Sequence, residues 1–150
     1  MRLVIQRVNH ASVEIDGVTR GKIGRGLCIF MGVERGADEE DLSWLVKKTI
    51  NLRIFSDGAG KMNRSIVDED GDILLISQFT LHASTRKGNR PSFITAEEPE
   101  RAERLYETFR ELLEQTFGKK IHTGSFGADM KISLENDGPV TILIDSVEKW

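Results

Sequence analysis

Residues 2–33, RLVIQRVNHASVEIDGVTRGKIGRGLCIFMGV, decide the fold class. Apolar and polar side chains alternate over 2–8 and again over 11–15, the period of strands with one covered face. Asp16-Gly17 is a turn signal, a short strand is expected over Thr19–Ile23, and Gly24 and Gly26 punctuate the next turn. Residues 27–33 are almost continuously apolar, as suits a strand covered on both faces. An antiparallel meander is therefore expected to open the chain.

From Asp38 the period becomes helical. Leu42, Leu45, Val46 and Ile50 mark one face, acids crowd the first turn, and Lys47 and Lys48 follow where the helix dipole favours cations. Phe55-Ser56-Asp57-Gly58 ends a short strand in a turn, and Asp70-Gly71 sets up a strand expected over Ile73–Leu81. A second helix starts at Pro99, carries Ala102, Leu105, Tyr106, Phe109, Leu112 and Leu113 inward, and stops at Gly118. Three short strands are expected near 121–123, 131–134 and 140–145. Many strands with two separated helices predict an α+β fold: a curved, mostly antiparallel sheet or small barrel with two main helices packed on it. The 150 residues suit one domain, 1–150.

Composition narrows the chemistry. With 39% apolar and 30% charged residues the chain reads as an ordinary globular protein. Its net charge of −3 argues against a protein that coats DNA or RNA through bulk electrostatics. The longest apolar run, 27–31, is far short of a membrane span, and the N-terminus alternates like a strand rather than a signal peptide, so a cytoplasmic location is expected. The single cysteine, Cys28, sits in that apolar run and reads as a buried thiol. His10, His82 and His122 are isolated, so neither a metal nor a cofactor is expected.

Two stretches place special residues where a strand should be monotonous: Ser77-Gln78-Phe79-Thr80-Leu81 and Asn136-Asp137-Gly138-Pro139-Val140-Thr141. Ser77 or Thr80 with His82 could form a nucleophile and base, although strand hydroxyls usually make ordinary hydrogen bonds. Backbone donors and small side chains where Gln78, Phe79 and Thr80 end the strand could instead cradle an oxyanion. Gly138-Pro139 is either a turn or a place where glycine lets a carbonyl approach a ligand and proline holds its direction. Arg86-Lys87-Gly88-Asn89-Arg90 is either a solvated loop or a phosphate-contacting one.

These stretches, with Gln6-Arg7-Val8, Lys87–Phe93 and Gly127-Ala128-Asp129-Met130, carry a resemblance along essentially the whole chain. The sequence resembles D-aminoacyl-tRNA deacylases of the bacterial and eukaryotic type. The resemblance implies a homodimer whose Gly138-Pro139 step, in cis, projects into the partner's active site and accepts glycine or a D-residue while excluding an L side chain. Arg7 would orient that step, with Met130 and Phe126 also assigned to substrate binding and chiral selection. The implied substrate is the 3′ end of an aminoacyl-tRNA. Amides near Phe79 and Thr80 would hold the oxyanion, Ser77 and Gln78 would shape the adenosine and ester pocket, and Arg86, Lys87 and Arg90 would contact tRNA. Two other functions stay open: a non-enzymatic module binding the tRNA end, and a protein-only serine or threonine esterase using His82. So does the agent that activates water, Thr80 or the ribose 2′-hydroxyl, the latter favoured because no positioned base is visible.

Overall fold

The computed structural model describes residues 1–150. Strand β1 (Arg2–Ile15) is the axis of the sheet. One of its edges pairs antiparallel with β3 (Gly26–Gly32) and then with β2 (Val18–Ile23); the other edge is covered by β8 (Lys131–Asp145). The sequence led us to expect two strands where β1 runs unbroken. A bulge between Val8 and His10 explains the difference: it inserts a residue opposite β8, so Val8, Ala11 and Val13 share one cluster although their spacing breaks strict alternation.

Beyond β3 the chain crosses over through α1 (Asp41–Asn51) and a small hairpin of β4 (Phe55–Ser56) and β5 (Met62–Arg64). It returns as β6 (Asp72–Ser77), parallel to β3, and α2 (Pro99–Phe117) then leads to β7 (His122–Thr123), parallel to β6. These helical crossovers are long enough for parallel pairing, which tight turns do not allow. The order β2-β1-β3-β6-β7 curls until its ends meet. At Gly21 on β2, a Cβ would stand 2.9 Å from the Thr123 carbonyl on β7, so only glycine lets the strands approach this closely. The α+β fold, with its curved, nearly closed and mainly antiparallel sheet and two main helices, matches expectation.

Both helices bury one stripe against the sheet: Leu42, Leu45, Val46 and Ile50 from α1, and Ala102, Leu105, Tyr106, Phe109 and Leu113 from α2. Leu27, Ile29 and Met31 of β3 meet them, whereas Cys28 turns into the smaller cluster inside the curl. Each fully buried Leu, Ile or Phe contributes roughly 1.5–3 kcal/mol. Pro99 opens α2 and Gly118, at φ 74°, caps it by donating its amide to the Glu114 carbonyl. Burial pushes the Cys28 thiol up to about 12, which keeps it a protonated core group as its apolar setting predicts. No helix is long and apolar enough to cross a membrane.

Two expectations about the special stretches need correction. The strand expected through Leu81 stops at Ser77, because its partner β3 ends at Gly32 and the ladder has nothing further to pair with. Gln78 donates its amide to the Met31 carbonyl, and Phe79–His82 then wind into a 3-10 turn. The separate strands expected at 131–134 and 140–145 are one strand, β8, interrupted by a bulge. Two steps along β1, from Gln6 to Val8, are matched by five along β8, from Thr141 to Asn136, so Asp137–Val140 stand out of the ladder.

Candidate active site

Where β6 gives way to the 3-10 turn, a cavity of about 300 Å³ opens between the sheet and the first turns of α2. Ser77, Gln78 and Phe79 form one wall, Phe126 and Met130 another, and Tyr106 rises from α2. Five of the residues singled out from the sequence thus share one cavity, although nearly fifty positions separate the two walls. Tyr106 holds its own place by donating its hydroxyl to the Leu75 carbonyl at 2.9 Å, and its ring lies 5.9 Å from that of Phe126. Sequence reading assigned Tyr106 only to the helix core; a hydroxyl on an otherwise apolar helix face was the available signal.

The amides of Phe79 and Thr80 open the 3-10 turn and find no side-chain or loop acceptor, as is usual for the first donors of a helical turn. Phe79 lines the cavity and is 57% exposed, and Thr80 follows it directly in the chain. The Thr80 hydroxyl accepts a 2.6 Å hydrogen bond from the Gln78 side-chain amide. His82, at the end of the same turn, is buried and packs against Gly32. Burial holds its pKa below the usual imidazole range, and neither Ser77 nor Thr80 makes a hydrogen bond to it. The pairing of Ser77 or Thr80 with His82 that the sequence left open finds no hydrogen bond here, and the turn replaces the strand on which Thr80 was expected.

The basic stretch is a loop closed at its base by paired amide-carbonyl bonds between Ser84 and Ser92, 2.8 and 2.9 Å. Arg86, Lys87 and Arg90 are exposed on it, and none forms an ion pair within the chain. Phe93, next after the loop, packs edge-on against Phe79 with ring centroids 5.0 Å apart, which joins the loop to the cavity mouth.

Arg7, Gly138 and Pro139 form a second group. The Gly138-Pro139 peptide is cis, and Gly138 has φ 138°. Asn136 closes the neck of the bulge as a surrogate ladder partner: its side chain accepts from the Val140 amide at 2.7 Å and donates to the Val140 carbonyl at 3.0 Å. Arg7, buried beneath, donates to the Asp137 carbonyl at 3.0 Å and to the Ile54 carbonyl at 2.5 Å. The sequence reading quoted Asn136 within a motif but gave it no task. An asparagine just before an Asp-Gly step was the signal.

The two groups lie apart within one chain. Arg7 pairs with Leu27 and Ser77 with Met31, so four residues of β3, roughly 13 Å at strand rise, separate them. No group of three or more His, Cys, Asp or Glu side chains could hold a metal ion.

Comparison with known proteins agrees with the motifs. The sequence model of the D-Tyr-tRNA(Tyr) deacylase family matches residues 4–145. A D-aminoacyl-tRNA deacylase of Bacteroides thetaiotaomicron is 56% identical over 149 residues, 99% of each chain. One of Akkermansia muciniphila is 57% identical over 146 residues, 97% of each. A solved structure described as a c-Myc DNA Unwinding Element Binding Protein is 41% identical, with a TM-score of 0.92 over 97% of this chain and 98% of that one. A second, described as a probable eukaryotic D-amino acid tRNA deacylase, shares the fold at 17% identity, with a TM-score of 0.83 over 95% and 97% of the two chains. By sequence along nearly its whole length, this chain belongs to the D-Tyr-tRNA(Tyr) deacylase family.

Proposed function

We infer that the protein hydrolyses the ester bond of D-aminoacyl-tRNA, releasing the free D-amino acid and intact tRNA, as a proofreading step in translation. The observation that carries this is a pair of uncommitted amides, Phe79 and Thr80, at the mouth of a cavity in a chain of the deacylase family. Water adds to the ester carbonyl, the amides receive the developing oxyanion, and the carbon–oxygen bond to the ribose breaks as the 3′-oxygen takes up a proton. A single oxyanion donor contributes about 10²–10³ in rate when preorganised. The cavity volume, about 300 Å³, suits an aminoacyl group with part of its adenosine, shaped by Ser77, Gln78, Phe126 and Met130.

No side chain at the cavity stands unpaired as a base for the attack. His82 is buried outside the cavity lining with its basicity lowered by that burial, the two carboxylates that do line the cavity, Glu97 and Asp129, are paired with Arg101 and Lys131, and the Thr80 hydroxyl is engaged by Gln78. The ribose 2′-hydroxyl beside the ester is the remaining group in position, so water is activated by the RNA.

Selection of the D-isomer is assigned to Gly138-Pro139 of a second copy. The distance between this step and the cavity within one chain, and its exposure, favour a homodimer in which each chain completes the other's site. With Arg7 holding the bulge from below, glycine and D-residues fit, and glycyl-tRNA is a second substrate. Rejecting an L-residue by about four decades requires roughly 5.5 kcal/mol, which a rigid clash supplies and a single lost methylene contact does not. The site of action is the cytoplasm, where translation proceeds.

A deacylation assay with D- and L-tyrosyl-tRNA tests the function. Turnover of the D-ester with the L-ester left nearly intact is expected; binding without turnover would mark a tRNA-end binding module instead.

Exposed, unpaired cations beside the cavity mouth suit phosphate contacts. Replacing Arg86, Lys87 and Arg90 together by alanine is expected to raise KM and lower the salt slope of tRNA binding by about 2–3, while kcat at saturation changes little. An unchanged salt slope would place the tRNA elsewhere.

A further inference from the structure

Beside the exposed Gly138-Pro139 step runs a chain of alternating charges of which the catalytic reading uses only Arg7. Asp137, next to Gly138, is approached by two guanidinium groups. Arg7 Nε lies 3.3 Å from its Oδ2 on the buried side, and Arg25 Nη1 lies 3.4 Å from the same oxygen on the outer side. Arg25 Nε is 2.6 Å from Glu69 Oε1, and the other Glu69 oxygen is 3.1 Å from Arg64 Nη1. The Arg25 guanidinium also stands 5.6 Å over the ring of Phe55, which is fully buried and follows Ile54, the residue whose carbonyl receives Arg7. Arg7 and Arg25 therefore meet on one carboxylate oxygen and rest on the adjacent residues Ile54 and Phe55.

We propose that Arg25, braced by Glu69, is a positioning residue that sets the direction of the Gly138-Pro139 step and thereby the strictness of chiral selection. This rests on the deacylase function proposed above. The planar fork of arginine is what the place requires. Nε is taken by Glu69, leaving Nη1 to reach Asp137, and a lysine ammonium cannot span both carboxylates in that fixed geometry. Arg25 is 44% exposed, and surface ion pairs stabilise little, so the effect falls on geometry more than on stability. Arg7, which also serves the Asp137 and Ile54 carbonyls, is buried, so without Arg25 the Asp137 carboxylate keeps only that one cation and loses its link to Glu69. A small shift of a rigid wall changes which isomer fits: a displacement of about 1 Å can alter a rate by about a hundredfold.

The test measures deacylation of D- and L-tyrosyl-tRNA by the full-length protein, the Arg25→Met, Arg25→Lys, Glu69→Gln and Glu69→Leu variants, and the melting temperature of each. Arg25→Met and Glu69→Leu are expected to lower the ratio of D to L turnover by about tenfold, chiefly by admitting the L-ester, with melting within a few degrees of the parent. Arg25→Lys should resemble Arg25→Met, whereas Glu69→Gln, whose amide oxygen still accepts from Nε, should keep most of the ratio. Equal losses of D and L turnover, or an unchanged ratio in folded Arg25→Met and Arg25→Lys, would overturn the proposal while leaving the deacylase function intact. Absence of D-selective turnover in the parent protein would overturn that function, and the role of Arg25 with it.

Discussion

A D-aminoacyl-tRNA ending in 2′-deoxyadenosine is expected to bind this protein and to turn over at least about 10²-fold more slowly than the ribose form, the range spanned by general base contributions. The expectation follows from what surrounds the cavity mouth. No histidine lines the cavity, and His82, at the end of the bordering turn, is buried against Gly32 with its pKa lowered by that burial. Thr80 is held by Gln78 through a 2.6 Å hydrogen bond, and Ser77 has no imidazole or carboxylate partner to take its proton. Thr80→Ala and Ser77→Ala should accordingly stay within about tenfold of the parent, whereas loss of a true nucleophile removes several decades. Full turnover of the deoxy substrate, or an acyl group trapped on Thr80, would move catalysis onto the protein and leave the deacylase assignment standing.

Gly138→Ala should be the most damaging single replacement of a residue that touches neither the core nor the oxyanion amides. A Cβ there would lie 2.8 Å from Val140 Cγ2 and 3.0 Å from Arg7 Nη2, at a φ of 138° that side chains rarely adopt. Neither neighbour can retreat freely. Val140 is fixed through both backbone groups by Asn136, and Arg7 is anchored to the Asp137 and Ile54 carbonyls. The bulge must shift, so kcat/KM for D-tyrosyl-tRNA is expected to fall by about a hundredfold. Because Gly138 is exposed on a bulge outside the ladder, the melting temperature should move by only a few degrees. A parent-like rate would remove Gly138-Pro139 from the site.

Local patterns sufficed for much of this molecule because local physics governs those parts. The alternation in 2–8 and 11–15, the helical stripes from Leu42 to Ile50 and from Ala102 to Leu113, and the Pro99 and Gly118 ends reflect backbone preference and the burial of one face, both of which act over a few residues. The same holds for Cys28, whose apolar run foretold its burial. The motifs were legible too, since Ser77–Thr80, Gly127–Met130 and Asn136–Thr141 are contiguous and chemically unusual.

Tertiary structure decided what depends on pairing. Nothing local in Ile73–Leu81 says that the strand must stop at Ser77; it stops because β3 has run out. That ending turns Phe79 and Thr80 into a 3-10 turn with free amides and carries His82 away from them. Likewise, the gap between 134 and 140 looks like a loop between two strands until β1 is seen holding one continuous β8 on either side of it. The meeting of Ser77 with Phe126 and Met130, and of Arg7 and Arg25 on Asp137, joins residues dozens of positions apart. Such contacts form only once the whole sheet has curled, because closing those long loops is unfavourable until the core beneath them is buried.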